Sequence, residues 1–227
     1  MATWPCCTAR AHPSLSLHGP EKGHETWVEN VPVYEVWPEG PRTSRPAVLV
    51  FTDVFGWRSG RTRQICDQIA EQVGAQVVLP NFFYQDGSDH LEVLAGWGSA
   101  WYIAKRILYY DWSQNRPHNV TFPWSSMLYP VFRSPTEYIE PIVSRKLLPY
   151  LRADGDGLGG PRRIGVLGFC WGGWVALRTA GAETGVDCVA ALHPSMKMEA
   201  FHGGCNSDVY DAIRCPTTWP LEMTQKM

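Results

Sequence analysis

The sequence lacks an excess of charge of either sign. It has 20 basic and 22 acidic side chains and a formal net charge of −2, so it offers no electrostatic footprint for nucleic acid or an anionic membrane surface. It also lacks an apolar run of the roughly 18 residues that span a bilayer. Its N-terminus has no charged region followed by an apolar stretch. These absences predict a soluble, unprocessed protein whose ligand is a small molecule, with no nucleic acid and no membrane partner.

The cysteines lack any paired spacing. They number seven, which is odd, and no run of Cys and His has the spacing of a zinc site. A chain of 227 residues that is 44% hydrophobic can bury one sizeable core without disulfides. We therefore expect reduced thiols, a cytoplasmic location, no metal and no cofactor.

Short apolar runs predict a series of strands in one domain. Residues 1–26 are rich in Pro, Gly, His and Ser without periodicity and are expected to be an irregular lead-in to a single domain over 27–227. Alternation over 31–37, between prolines, predicts an edge strand. A continuous apolar run at 47–51 is typical of a strand buried on both faces, further strands are predicted at 76–80, 163–167 and 186–192, and one more starts at 215–219.

Helical patterns separate these strands. One helix is predicted from about residue 59 to 73, with Ile65, Ile69 and Val73 on one face, and another over about 171–181. Because parallel neighbours need crossover connections, strand and helix in alternation predict an α/β fold with a doubly wound, mostly parallel sheet.

The segment at about 91–150 has a helical pattern broken by prolines and rich in Trp, Tyr and Phe. Prolines are expected to divide it into short pieces, the last of the breaks being at Pro141. Two interpretations stay open: a cap-like insertion that covers a pocket mouth, or an aromatic helical layer packed on the sheet.

A strand-to-helix turn carries the strongest functional signal. Gly168-x-Cys170-x-Gly172 lies between a predicted buried strand and a predicted helix, which is the context of a nucleophile elbow. Glycines are needed there, with Gly173 beside them, because a Cβ would collide with the neighbouring strand and helix. The positive end of the helix dipole would favour the thiolate of Cys170. The alternative is a buried structural cysteine in a tight turn.

The residues around this turn resemble the dienelactone hydrolase family. Gly-Phe-Cys-Trp-Gly-Gly at 168–173 is similar to the family signature, and so is His-Pro-Ser at 193–195. The stretch 47–57 resembles the first buried strand and loop of fungal and plant members, and 78–83 resembles their next strand. The resemblance, which implies the α/β-hydrolase fold, covers about 27–90 and 160–219.

The resemblance implies roles for individual residues. Cys170 would attack the carbonyl of a small ester or lactone, and the backbone N–H groups of Trp171 and Val54 would form the oxyanion hole. Asp53 stands where well-known bacterial members carry a Glu that pairs with the resting thiol. The shorter Asp53 either takes that role or caps a turn after the strand. His193 is similar to the family's structural histidine near the site, which is not its general base.

In this fold the acid and histidine of the triad follow the nucleophile in the chain. The histidines beyond Cys170 are His193 and His202, and both precede the strand after which the acid is expected. Glu222 lies near the place of the acid, but no histidine follows it, and His202 is a weak candidate for a substitute base. We therefore expect a truncated fold that lacks its last C-terminal elements, a turnover reduced by about two to four powers of ten, and a sheet edge open to self-association.

Two alternatives to catalysis remain. The chain is a non-catalytic relative that binds a small molecule or a protein partner through the aromatic segment 97–138, or Cys170 is a redox-sensing thiol. A Cys170-dependent burst with an activated ester separates catalysis from both.

Overall fold

The computed structural model describes residues 20–42, 45–53, 56–57, 61–82, 84–85, 88–89, 135–153, 162–183 and 185–218. A seven-stranded sheet with the order β1-β2-β4-β3-β7-β8-β9 forms its centre. These strands are β1 (His24–Val28), β2 (Val31–Val36), β3 (Ala47–Phe51), β4 (Gln76–Pro80), β7 (Ile164–Phe169), β8 (Cys188–Leu192) and β9 (Thr217–Thr218). A separate two-stranded sheet consists of β5 (Tyr84–Gln85) and β6 (Ser88–Asp89).

The sheet is mostly parallel, as the alternation of strands and helices predicted. Strands β4, β3, β7, β8 and β9 pair in parallel, while β2 is antiparallel to both β1 and β4. The apolar runs predicted β3 and β4 with the bounds that the structure shows. In β3, Leu49 and Phe51 face one apolar cluster and Val50 faces the other. A continuous apolar run is needed because both faces of the strand are covered.

The prediction of an edge strand at 31–37 is wrong. All six residues of β2 are buried, and β1 covers its outer side. β1 begins at His24, three residues before the expected start of the domain at residue 27. The alternation was misleading because Glu35, although polar, is buried and accepts hydrogen bonds from Gln76 Nε2 and Tyr150 Oη (2.7 Å for the tyrosine).

Helices cover both faces of the sheet. They are α1 (Thr62–Val73), α2 (Pro135–Ile142), a π-helical turn (Val143–Leu147), α3 (Leu148–Ala153), α4 (Trp171–Ala182), α5 (Lys197–Phe201) and α6 (Asn206–Ala212). α1 contributes Cys66 and Ala70 to one apolar cluster, whereas α2, α3 and α4 contribute to the cluster on the opposite face. The fold is therefore a doubly wound α/β sheet. None of the helices in the described part of the chain is long and apolar enough to cross a membrane.

α1 buries a different face from the predicted one. Val73 is 60% exposed, and Ile65 and Ile69 are only half-buried. The buried residues of the helix are Thr62, Arg63, Cys66, Asp67 and Ala70. Small side chains let this face approach the sheet closely, and its charges are paired: the Asp67 carboxylate accepts a hydrogen bond from the Tyr34 hydroxyl at 2.7 Å. Pairing reduces the free-energy cost of burying a charge. A prediction from the spacing of apolar residues does not consider such pairs and therefore missed this face.

Pro141 does not break the helical segment, contrary to the prediction. It lies inside α2, and the chain continues through the π-helical turn into α3. The loss of one backbone hydrogen bond is offset by tertiary packing, since Ile139, Val143, Leu147, Leu148 and Leu151 are all buried in one cluster. Residues 91–134 lie outside the described part of the chain, so the cap-like insertion stays a prediction.

The C-terminal part follows the predicted order of strands with shorter bounds. β8 begins at Cys188 and not at residue 186, and β9 is described only at Thr217–Thr218. Two short helices, α5 and α6, fill the connection between these strands and were not predicted. They position the chain that leaves β8 against the start of α4.

Candidate functional site

Cys170 forms the turn between β7 and α4 in an unusual backbone conformation. Its φ is 54° and its ψ is −114°, values that a non-glycine residue adopts at a cost of about 1–3 kcal/mol. Hydrogen bonds hold this conformation from both sides. The Cys170 N–H donates to the Leu192 carbonyl at 3.0 Å, and the Cys170 carbonyl accepts from the N–H groups of Gly173 (3.1 Å) and Ser195 (2.9 Å). The turn is therefore anchored to the end of β8 as well as to its own helix.

Glycines allow the chain to pass through this turn. A Cβ on Gly168 would lie 2.0 Å from the carbonyl oxygen of Gly172, and one on Gly172 would lie 2.2 Å from the carbonyl oxygen of Thr52. These clashes would be with backbone atoms, so no side-chain rotation could relieve them. A Cβ on Gly173 would approach Pro194 Cα to 3.0 Å. The elbow is thus pressed against the end of β3 on one side and against the loop after β8 on the other.

The thiol of Cys170 is partly exposed. Its Sγ lies 3.3 Å from the hydroxyl oxygen of Ser195, and either atom can be the donor at this distance. The adjacent Trp171 is buried and meets Phe82, which follows β4, edge to face with ring centroids 6.4 Å apart. The sulfur therefore lies at the carboxyl edge of the parallel strands, and Cys170 is partly exposed to solvent.

Burial disfavours the charged form of His193 beside the elbow. Its φ is 41°, and its buried Nδ1 atom has no hydrogen-bond partner among the described residues. Burial lowers the pKa of His193 below its ordinary value, because the imidazolium would lose its hydration there. Burial of His193 therefore works against an ion pair between its imidazolium form and a thiolate at this edge.

His202, the weak candidate for a substitute base, lies against Trp174. The two rings are stacked, with centroids 5.4 Å apart and an interplanar angle of 5°. Trp174 is fully buried in α4, one turn after the elbow. Nothing in this stacking directs the His202 ring towards the sulfur.

Asp53 begins the loop that leaves β3 beside the elbow, and it is partly exposed. Its backbone carbonyl accepts hydrogen bonds from the Thr52 hydroxyl at 2.7 Å and from the Gly56 N–H at 3.3 Å. The turn of this loop is thus closed by the Asp53 backbone. Val54, the other expected oxyanion donor, lies outside the described residues.

The far end of the same loop is anchored by a buried cation. Trp57 is 3% exposed, and the guanidinium of Arg63 lies 4.7 Å from its ring centroid and 4.9 Å from that of Tyr34. Arg63 also pairs with Glu21 and Glu25, each at 2.9 Å. This cluster ties the loop to α1 and to the chain before β1.

An ion-pair cluster secures α4 behind the elbow. The Glu199 carboxylate of α5 is 4% exposed and accepts hydrogen bonds from Trp174 Nε1 at 2.8 Å and Arg178 at 2.7 Å. Arg178 also donates to Glu140 of α2 at 2.6 Å. Three helices are thereby joined through one guanidinium, which keeps the start of α4 in register with the loop before α5.

Ser195 is the residue at this site to which the sequence assigned no role. It was recognised only as part of the His-Pro-Ser motif. Its position in the chain could have indicated that it lies near Cys170. Ser195 follows β8, the neighbour of β7, and the carboxyl ends of parallel neighbours meet at one edge of the sheet.

Taken together, the site offers an accessible thiol at the start of a 12-residue helix, whose amides are suited to hold developing negative charge. A hydroxyl adjoins the sulfur, and His193, whose pKa is lowered by burial, lies two residues before that serine. Within the described ranges, no group of three or more His, Cys, Asp or Glu side chains is arranged to hold a metal ion. Such an arrangement can attack an electrophilic carbon and stabilise an oxyanion.

Comparison with known proteins agrees with this geometry. A model of the dienelactone hydrolase family matches residues 31–204. The carboxymethylenebutenolidase homologue of Mus musculus is 30% identical over 212 residues, which are 90% of this chain and 71% of the mouse protein. The human homologue is 26% identical over 192 residues, and the chain spans 56% of its length. A crystal structure described as "Putative Dienelactone Hydrolase" from Klebsiella pneumoniae has a TM-score of 0.59 at 18% identity, covering 87% of this chain and 70% of that one.

Proposed function

Because this chain belongs to the dienelactone hydrolase family, a family of hydrolases with the α/β-hydrolase fold, we propose that it cleaves small esters or lactones with Cys170 as nucleophile. The observation that carries the proposal is the position of the thiol. It is partly exposed at a strained turn between a central parallel strand and a helix, which is the geometry that presents a nucleophile at the carboxyl edge of this fold.

In the first half-reaction, the thiolate of Cys170 attacks the carbonyl carbon and an S–C bond forms. Negative charge then develops on the carbonyl oxygen, where the backbone N–H of Trp171, and that of Val54 from the loop after β3, are proposed to donate. Collapse of this intermediate breaks the ester C–O bond and leaves an acyl group on sulfur. The alcohol oxygen departs with the electron pair of that bond and takes up a proton.

In the second half-reaction, water attacks the thioester and gives up its two protons to the solvent, the C–S bond breaks, and the carboxylate product leaves as the thiolate is restored. A thioester is more reactive than an oxygen ester, so a single active thiol divides one difficult hydrolysis into two easier steps. No metal or cofactor takes part in this scheme.

The substrate class is proposed from the relatives and from the chemistry of the nucleophile. The name of the mammalian relatives refers to a butenolide, which is a cyclic ester, and an open ester presents the same carbonyl to the sulfur. A cytoplasmic location and self-association through a sheet edge stay predictions.

A burst experiment tests the proposal. p-Nitrophenyl acetate suits it because p-nitrophenolate leaves without needing a proton, so acylation is observed whatever the rate of deacylation. We expect one fast release of p-nitrophenolate, at most equimolar with the protein, and an acetyl group on the Cys170 peptide in mass spectrometry. Cys170→Ala should abolish both.

Cys205→Ala is the matched control, because Cys205 is an exposed cysteine away from the elbow. It should keep the burst and the acetylation of Cys170. Equal bursts from the wild type and Cys170→Ala, or acetylation spread evenly over the exposed cysteines, would show that the proposed nucleophile is wrong.

A further inference from the structure

We infer that Ser195 is a positioning residue for the nucleophile: its hydroxyl donates a hydrogen bond to the sulfur of Cys170 and favours the thiolate over the thiol. This inference rests on the proposed function, since a role in preparing the sulfur has meaning only if the sulfur reacts.

The backbone of Ser195 is held by hydrogen bonds on both sides. The Ser195 N–H donates to the Cys170 carbonyl at 2.9 Å, and the Ser195 carbonyl accepts from the N–H of Met198 at 2.9 Å as α5 begins. The preceding Pro194 packs where a Cβ on Gly173 would approach it to 3.0 Å. The 3.3 Å contact between oxygen and sulfur thus forms at the junction of two loops whose backbones are hydrogen-bonded to each other.

The direction of this hydrogen bond follows from the charge of the sulfur. A neutral thiol can donate to the hydroxyl oxygen or accept from the hydroxyl proton, but a thiolate can only accept. Once Cys170 is ionised, Ser195 must be the donor. A hydrogen bond to an ionised acceptor is about twice as strong as one between neutral groups, so the contact stabilises the charged form selectively.

Two other described groups at this edge disfavour a stabilised thiolate. Asp53, which follows β3, opposes a second negative charge when it is ionised, and burial lowers the pKa of His193, which follows β8, and so disfavours its cationic form. Lys197, at the start of α5, is exposed, and the first turn of α4 carries no acidic side chain. The helix amides and the Ser195 hydroxyl are groups placed to favour the thiolate.

The test measures the thiol directly, without an ester. Wild type and Ser195→Ala react with 2,2′-dithiodipyridine across a pH series, and the mixed disulfide at Cys170 is quantified by peptide mass spectrometry after acid quenching. We expect the pKa of Cys170 to rise by about one unit in Ser195→Ala, as loss of one charge-assisted hydrogen bond from a partly exposed group implies.

The two rate profiles should cross. Below the midpoint, exchange should be about three- to fourfold slower in Ser195→Ala, because less thiolate is present. At alkaline pH, exchange should be about threefold faster, because a thiolate of higher pKa is the better nucleophile, with a Brønsted slope of about 0.4–0.5. A role confined to packing would move the whole profile by one factor and would not make it cross.

Other variants guard against a change in folding. Ser195→Gly also lacks the hydroxyl and should give the same crossing, whereas Ser195→Thr keeps the hydroxyl and should retain the wild-type midpoint. The chain also offers a matched pair, because the Cys205 sulfur lies 2.9 Å from the Ser207 hydroxyl on an exposed helix start. Ser207→Ala should leave the Cys170 profile unchanged.

Overlapping profiles for wild type and Ser195→Ala, or a raised midpoint in Ser195→Thr, would overturn the inference. Its failure is distinguishable from failure of the proposed function. A wild-type burst with overlapping exchange profiles removes the role of Ser195 alone, whereas crossing profiles without any burst remove the hydrolytic function and leave the hydrogen bond in place.

Discussion

Replacing Gly172 by alanine should destabilise the protein, although the same change in most helices stabilises it. An exposed glycine in a helix interior costs about 1 kcal/mol relative to alanine, so propensity alone predicts a gain. In this structure the new Cβ would lie 2.2 Å from the Thr52 carbonyl oxygen and 2.4 Å from that of Phe51. Ordinary contacts between carbon and oxygen are about 3.3–3.6 Å, so the start of α4 and the end of β3 would have to separate by about 1 Å.

The cost of that separation sets the expected magnitude. Overpacking a core typically costs about 1–3 kcal/mol and sometimes more, and here both obstacles are backbone atoms that no rotamer can move. We expect a net loss of about 3 kcal/mol, which for a chain of this size lowers Tm by about 6–12 °C. Differential scanning calorimetry of both proteins at the same scan rate measures this change in Tm.

Gly181→Ala is the control within the same helix. Its Cβ would meet the Cβ of Ala212 at 3.0 Å, a methyl group that can yield by a few tenths of an ångström, so we expect a change within about 1 kcal/mol. A Gly172→Ala protein as stable as wild type, or one no less stable than Gly181→Ala, would refute the argument that backbone contact requires glycine at the elbow.

Two further predictions concern the surroundings of the site. Burial lowers the pKa of His193 below its ordinary value of 6.5, so the unfolded chain binds this proton more readily and stability falls as pH drops below about 6.5. We therefore expect the free energy of unfolding, measured with urea, to fall less between pH 7.5 and pH 5 in His193→Gln than in the wild type. Equal losses in the two proteins would contradict the assignment. Arg178→Met should lower the free energy of unfolding by about 3 kcal/mol, because it leaves the buried Glu199 without its cation. The additional change Glu199→Gln should recover part of this loss, and an unaltered urea midpoint in Arg178→Met would show that the ion pair contributes nothing.

The elbow could be predicted from the sequence because its requirements are local. The pattern Gly-x-Cys-x-Gly at 168–172 lies between an apolar run and a helical pattern. Few backbone conformations are compatible with such a turn. The apolar runs within β3 and β4 were equally informative, since strands covered on both faces favour apolar side chains at nearly every position. Gly74 likewise ends α1 in the left-handed region, with φ 69°, where glycine is favoured.

Periodicity failed where polar side chains are buried in pairs. The stripe of α1 that faces the sheet contains Arg63 and Asp67, whose charges are matched by groups on other elements. Apolar periodicity assigns charged residues to solvent, so it selected the opposite stripe. β2 was placed at the edge for the same reason, because buried Glu35 gave the strand an apparent polar alternation.

What the sequence by itself determined about this protein is therefore a part of its local conformation: the central strands β3 and β4, the sharp turn between a strand and a helix, and the cysteine that occupies that turn. Only the tertiary structure decided which side chain meets the sulfur. Ser195 is 25 residues beyond Cys170, and the two touch because β7 and β8 are parallel neighbours whose carboxyl ends meet at one edge. Local sterics and apolar periodicity act over a few residues, whereas the partner of a side chain depends on strand order and on how loops pack between helices, and these emerge only when the whole core assembles.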